Sequence, residues 1–245
     1  MKLAVIGDPV SHSRSPHLHR VFLREAGIDG SYVAIQVPRG NGISVVRRMR
    51  MDDYTGCNVT YPLKEEVLRA CDVLTPLAQR AESVNTILFG RQTLGTTTDG
   101  IGARLAIEAL LEESIALKRV GVLGYGATAR AILAELHDND VYSYVWGRDE
   151  KRVADVCARF EAEPWPGDNP PEIVISTLPP GIELDGELLH DLQFPDVVFD
   201  ANYGDRATLA RQLDREVTTG EAMLEAQARA SFDFWLAHVE GLDSD

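Results

Sequence analysis

Residues 119–136 restrict the possible folds of this chain more than any other stretch. Arg119-Val120-Gly121-Val122-Leu123 is a short apolar run, Gly124-Tyr125-Gly126 a glycine turn, and Ala127 to Leu136 a stretch of helix formers. A glycine turn between a buried strand and a helix opens a βαβ unit. The rhythm then repeats, with strands expected at 119–124, 141–146, 172–177 and 196–200 and helices at 127–136, 150–160, 185–192 and 206–213. Alternation of this kind winds a parallel sheet with helices on its faces.

The first half carries the same elements in a less regular order. Lys2 to Gly7 reads as a buried strand, and Ser15-Pro16 opens a helix to about Gly27, with Ser15 as N-cap and Pro16 at its first position. Strands follow at 31–37, 54–59 and 83–89, with helices at 42–50, 62–70 and 100–113. The helix at 62–70 places Lys64 in its first turn. Asp168-Asn169-Pro170-Pro171 is a loop. A last long helix, 221–239, comes after the wound unit has run its course. The expected fold is α/β, with an N-terminal substrate-binding and catalytic domain to about residue 100 and a Rossmann-type nucleotide-binding domain over 101–218. Residues 219–245 form a helical segment that returns to the first domain.

Composition narrows the function classes. A net charge of −14 opposes nucleic-acid binding, because a phosphate backbone would meet a like-charged surface. No apolar run has the character of a signal peptide or the length of a membrane span. Cys57, Cys71 and Cys157 are odd in number and lack disulfide or metal spacing, which fits a reducing, cytoplasmic setting. The histidines, among them His17 and His19, also lack ligand spacing, so no metal is expected. His12 reads as a turn-stabilising residue rather than a base. The expected partner is a small molecule, and the chain is expected to be a monomer or homodimer.

The glycine turn suits a dinucleotide. Gly124 permits the tight turn, Gly126 lets the backbone approach a pyrophosphate, and Ala129 is the small residue where helix and strand pack closely. The helix N-terminus adds free N–H groups and a positive dipole end. Specificity should lie at the end of the next strand, in Gly147-Arg148-Asp149-Glu150-Lys151-Arg152. Arg148 and Arg152 suit the 2′-phosphate of NADP; Asp149 suits the ribose hydroxyl of NAD, or simply caps the following helix. NADP is the favoured reading.

Of 24 basic residues only Lys2, Lys64, Lys118 and Lys151 are lysine. Arginine cannot give up its proton in a protein, whereas lysine can. Lys64, in Asn58-Val59-Thr60-Tyr61-Pro62-Leu63-Lys64, is therefore a candidate for proton chemistry. A second polar segment, Gly7-Asp8-Pro9-Val10-Ser11-His12-Ser13-Arg14-Ser15-Pro16, gathers hydroxyls at a helix start, suiting a carboxylate ligand or plain capping.

These two segments resemble the G-x-P-x-x-H-S-x-S-P and N-V-T-x-P-x-K motifs of the shikimate dehydrogenase family. Further matches follow in order at Ser83-Val84-Asn85-Thr86, Thr98-Asp99-Gly100, the glycine turn, Asp200 to Tyr203, and Gly220 to Gln227. The resemblance implies NADP-dependent, reversible reduction of 3-dehydroshikimate to shikimate, a step of chorismate and aromatic amino-acid biosynthesis, in a cleft between two domains. It implies that Ser13 and Ser15 hold the substrate carboxylate, and that Asn58, Thr60, Asn85, Tyr203 and Gln227 bind substrate polar groups. Lys64 would pass the proton, and Asp99 would orient it. On the cofactor side it adds Ala127, Leu178 and Gly220 to Gly124, Gly126, Arg148, Asp149 and Arg152.

Plainer roles stand beside these. Asn58 and Thr60 could bond strand ends, and Asp99 could cap the helix starting at Gly100. Gln227 falls on the face of the last helix that carries Met223, Ala230 and Phe234, where a buried amide needs partners. The chain also departs from the family pattern. It has His19-Arg20 for H-N, Thr97-Thr98-Asp99 for N-T-D, and Gly124-Tyr125-Gly126-Ala127-Thr128 for G-A-G-G-A. It has Gly147-Arg148-Asp149 for N-R-T and Ser176-Thr177-Leu178-Pro179 for N-A-T-P. Most departures lie on the cofactor side, which keeps an NAD-dependent quinate or shikimate-type dehydrogenase open as an alternative. A non-catalytic dinucleotide- or metabolite-binding homologue is a second.

Overall fold

The opening apolar run forms β1 (Lys2–Gly7), an inner strand whose alternate residues feed two separate cores. Leu3 and Val5 join one buried cluster and Ala4 and Ile6 another, as the two-residue strand period requires. That explains why β1 is continuously apolar: both its faces are covered. The computed structural model describes residues 1–165 and 169–239. They divide into one unit of Met1–Asp99 with Glu225 onward, and a second of Gly100–Leu224.

In the first unit β1 is followed by α1 (Ser15–Glu25), β2 (Ser31–Gln36), α2 (Gly42–Met51), β3 (Gly56–Val59), β4 (Val73–Leu74), α3 (Pro76–Ala81), β5 (Thr86–Phe89) and β6 (Thr93–Thr96). The sheet order is β2-β1-β3-β5-β6-β4. β1 lies parallel to both neighbours, whereas β5 runs antiparallel to β3 and β6. Val46 and Met49 of α2 cover one face; Phe22 and Leu23 of α1 cover the other, with Phe232 and Trp235 from the end of the chain.

The second unit is wound from α4 (Asp99–Leu111, entering from the first unit), β7 (Arg119–Leu123), α5 (Ala127–Asp138), β8 (Tyr142–Trp146), α6 (Glu150–Phe160), β9 (Glu163–Pro164), β10 (Ile173–Ser176), α7 (Gly186–Asp191), β11 (Val197–Asp200) and β12 (Thr218–Thr219). α8 (Glu221–Val239) then carries the chain back to the first unit. All strand pairs are parallel, and the order β12-β11-β10-β7-β8-β9 is that of a dinucleotide-binding sheet. β7 lies between β8 and β10, so the glycine turn that follows it occupies the point where strand order reverses. Leu123, Val174, Leu188 and Val198 fill the core on one face.

Several expectations are corrected. The first helix begins at Ser15 and ends at Glu25; Arg14 precedes it without capping it, and the Ser13 hydroxyl accepts the Ser15 N–H at 3.3 Å. Pro62–Ala70 is not one helix. Lys64 lies in a turn, and only Glu66–Ala70 coils, as a 3₁₀ segment. Glu66 is spent on another element, accepting the N–H groups of Gly40 (2.8 Å) and Gly42 (2.6 Å) at the start of α2. In place of a helix at 206–213 there are two 3₁₀ turns, Gly204–Arg206 and Leu209–Arg211. Thr208 and Gln212 accept the N–H groups of Gly181 and Leu184, so the segment follows a neighbouring loop rather than its own helical ladder. The short elements β4, α3, β6, β9 and β12 add to the expected set. Asn169 to Pro171 is irregular, while Asp168 and residues 240–245 lie outside the described residues.

Candidate functional site

The first site grows from the end of β3. Thr60 donates its N–H to Ile6 O (2.9 Å), and its carbonyl accepts the Leu63 N–H (3.0 Å). Leu63 is fully buried and anchors this turn in the core. Lys64 follows, its carbonyl accepting the Val84 N–H (3.0 Å). Its ammonium donates to Asp99 Oδ2 at 2.5 Å, with the two side chains 12% and 7% exposed. Asp99, at the start of α4, uses its other oxygen to accept Asn85 Nδ2 at 2.8 Å. Both carboxylate oxygens are thus engaged by donors, which fixes the orientation of the carboxylate.

Asn85 is the hub of a buried polar cluster. Its Nδ2 also approaches Thr98 Oγ1 (2.9 Å) and Gln227 Oε1 (3.2 Å), and its Oδ1 accepts the Thr98 N–H (2.9 Å) and the Thr86 hydroxyl (2.8 Å). Asn58 supports it. Asn58 Nδ2 lies 3.1 Å from Asn85 O, 3.1 Å from Thr86 Oγ1 and 3.0 Å from Ser231 Oγ, and its Oδ1 accepts the Tyr32 hydroxyl at 2.7 Å. Asn58 is buried, with both ends of its amide bonded inside the protein. Burial holds the Tyr32 phenol well above its ordinary pKa, which keeps it a neutral donor; its hydroxyl also meets Ser15. His19 stacks on Tyr32 at 4.3 Å, and burial pushes its imidazole down to about 3.

Sequence reasoning missed Tyr32, Thr86, Thr98 as a ligand of Asn85, and Ser231. A signal for the last is present, because Ser231 lies four residues after Gln227 on the same helical face. The expected face of α8 is itself corrected. Ala228, Ser231, Phe232 and Trp235 are its buried residues in the first unit, whereas Gln227, Ala230 and Phe234 are only half-buried. Ser13 is half-buried and Ser15 buried at the start of α1. His12 is exposed, with its ring 3.5 Å from the Ser11 hydroxyl.

The second site lies in the other unit. Gly124 has φ +113°, the region where a side chain is strained, and a Cβ there would stand 2.5 Å from Thr177 Oγ1. Its N–H donates to Trp146 O at 2.8 Å. Gly126 is the N-cap of α5 and Ala127 its first residue; a Cβ on Gly126 would meet nothing within 4 Å. The space beside Gly126 is therefore open among the described residues, and Gly126 brings no capping side chain of its own. Such a turn fits a pyrophosphate. Arg148 and Asp149 lie at the end of β8, Asp149 exposed and Arg148 beside it. Asp149 caps α6, accepting the Arg152 N–H at 3.1 Å, and its Oδ2 lies 3.6 Å from Arg152 Nε.

Leu178 and Gly220 are joined through one residue. Asn202 Nδ2 donates to Leu178 O (2.9 Å), and Asn202 O accepts the Gly220 N–H (2.9 Å). Asp200 holds Asn202 in turn, accepting its N–H (3.0 Å) and its Nδ2 (2.8 Å). Desolvation raises the Asp200 pKa. Tyr203 belongs to this second unit, apart in sequence and unit from the other expected substrate residues. Lys64, Asp99, Asn85, Asn58 and Gln227 are connected by hydrogen bonds; Ser15 reaches them through Tyr32.

The family described as "Shikimate dehydrogenase substrate binding domain" matches residues 5–87. The chain is 33% identical to a shikimate dehydrogenase (NADP(+)) of Jannaschia sp., covering 98% of this chain and 94% of the relative. It is 33% identical to the Exiguobacterium sp. protein of the same name, covering 96% and 92%. Among solved structures, shikimate 5-dehydrogenase from Thermus thermophilus, in complex with NADP(H) and shikimate, gives a TM-score of 0.82 at 29% identity over 97% of this chain and 94% of that one. Shikimate dehydrogenase from Aquifex aeolicus gives 0.83 at 25% identity, covering 97% and 92%.

Proposed function

This chain belongs to the shikimate dehydrogenase family, and on that premise we propose that it interconverts 3-dehydroshikimate and shikimate with NADP. The single observation that carries the chemistry is the nearly buried Lys64–Asp99 pair, braced by Asn85. When bound, the reduced cofactor supplies the hydride to the substrate ketone carbon. Lys64 gives a proton to the ketone oxygen as negative charge develops there, and takes it back in the reverse direction. Asp99 keeps the ammonium aimed at one place, so the donor does not have to be found by rotation of a flexible four-carbon chain.

Ser13 and Ser15 bind the substrate carboxylate. Thr60, Asn85, Gln227 and Tyr203 recognise its hydroxyls, and an analogue lacking one of these leaves a polar group unpaired. Asn58 acts one step back, because its amide already serves Asn85, Thr86, Ser231 and Tyr32. Gly124, Gly126 and Ala127 hold the cofactor pyrophosphate through the backbone, and Leu178 and Gly220 border it. Arg148 and Arg152 take the 2′-phosphate, with Asp149 as helix cap.

Initial rates of shikimate oxidation with NADP and with NAD, beside quinate, test the assignment. Shikimate-dependent reduction of NADP is the expected result. Lys64→Ala should lower kcat by about 10²–10⁴-fold while shikimate still binds. Turnover with NAD alone would transfer the cofactor role to Asp149. Absence of turnover with every pairing, with binding intact, would make the chain a binding protein.

A further inference from the structure

Two departures from the family pattern, Tyr125 in the glycine turn and Gly147 after β8, are neighbours in space. β7 and β8 pair in parallel with Leu123 opposite Trp146, and the Gly124 N–H bonds Trp146 O. The turn and the strand end therefore run side by side. A Cβ on Gly147 would stand 2.5 and 2.6 Å from two carbons of the Tyr125 ring, and 3.2 Å from Val153 Cγ2. Contacts under about 3 Å cannot persist between carbon atoms without displacement. The Tyr125 ring, as placed here, occupies the space that a side chain at 147 would take, so the two departures fit one another.

The ring also reaches Arg152, whose guanidinium carbon lies 5.5 Å from its centroid. Arg152 Nε also lies 3.6 Å from Asp149 Oδ2. That ion pair is solvent-exposed and by itself holds the side chain weakly. A planar guanidinium stacks on aromatic faces while keeping its N–H fork free for a phosphate.

We propose that Tyr125 is a positioning residue for NADP: its ring fills the place of a side chain at 147 and holds Arg152 toward the 2′-phosphate. This rests on the reading of the chain as an NADP-dependent dehydrogenase. NAD lacks the phosphate and gains nothing from the held guanidinium, so the ring contributes to preference rather than to general affinity.

Titration calorimetry with NADP+ and with NAD+, without substrate, tests this on single and double variants. Tyr125→Leu, which keeps bulk but loses the π face, should weaken NADP+ binding about three-fold and leave NAD+ unchanged. Tyr125→Phe, which keeps the ring, should retain the preference. Gly147→Ala should weaken NADP+ binding in the wild-type background but add no further loss in Tyr125→Ala, which empties the space, a non-additivity expected only if the two residues share it. Arg152→Ala should weaken NADP+ binding more than Tyr125→Leu does, and adding Tyr125→Leu to it should cost nothing further. Equal losses for NADP+ and NAD+ in Tyr125→Leu would reduce the ring to a structural element and overturn the proposal, as would additive effects at 125 and 147. Wild-type NADP+ binding with no change in Tyr125→Leu would sink this inference alone. A wild type that binds neither dinucleotide and does not oxidise shikimate would sink the dehydrogenase reading, and this with it.

Discussion

In the first unit the candidate site is built from side chains that hold one another: Lys64 on Asp99, Asp99 on Asn85, Asn85 on Thr98 and Gln227, Asn58 on Tyr32 and Ser231. In the second unit the corresponding surface is mostly backbone, a glycine turn and an open helix start, with arginines beside it. The contrast explains where the sequence has drifted from its family. A buried amide with four partners cannot change alone, because each partner would be left unpaired. Main-chain N–H groups are the same under many side chains, so the glycine turn tolerates a tyrosine once position 147 yields. The departures on the substrate side avoid the network. Arg20 is exposed on α1, and Thr97 has a buried hydroxyl with no partner among the described residues.

On this contrast, substitutions in the polar cluster of the first unit should damage catalysis or stability, and those in the glycine turn and its arginines should damage cofactor affinity alone. Asp99→Asn should have the largest effect, lowering kcat by about 10²-fold or more with NADP+ affinity preserved, as read from steady-state kinetics beside calorimetry. Asn85→Ala should cost about 2–3 kcal/mol in urea unfolding and raise KM for shikimate, since it strands the Thr98 N–H and one Asp99 oxygen. A stable Asn85→Ala protein would mean that water replaces the amide and that the network is not self-supporting.

His19 gives a pH test of the same contrast. Its pKa falls from 6.5 in the unfolded chain to about 3 in the buried site, so between these values the unfolded chain binds a proton that the native protein refuses. Stability of the first unit is therefore lost as pH falls from about 6.5 toward about 3. This group alone contributes a slope of up to about 1.4 kcal/mol per pH unit. His19→Phe should flatten that slope in hydrogen exchange of the β1 amides, and an unchanged slope would assign the acid sensitivity elsewhere. Gly124→Ala should have the smallest effect, about 1 kcal/mol of NADP+ affinity, from the positive φ and the Thr177 contact, with KM for shikimate unmoved.

The wound unit is the more legible half. Its strands and helices alternate with clear punctuation, and α6 and α8 fall on their expected bounds. Lys64 lies outside a helix although Pro62 to Ala70 has helical composition, because Glu66 is diverted to cap α2. The segment 206–213 departs for a similar reason, since Thr208 and Gln212 answer a loop distant in sequence. The motifs point to Lys64, Asp99 and Asn85 but not to Tyr32 or Ser231. Those two matter through contacts across 26 and 173 residues, which no local pattern records.

That separation also bears on how the chain is made. Trp235 closes the first unit by donating its indole N–H to Ile87 O at 2.9 Å, across 148 positions. During synthesis the residues up to Asp99 emerge lacking that wedge and the serine that completes the amide cluster, whereas the second unit is already contiguous. The middle of the protein can thus settle while its beginning still waits for its end. A chain cut after Leu224 would hold every residue of the second unit and lack Ser231, Phe232 and Trp235 from the core of the first.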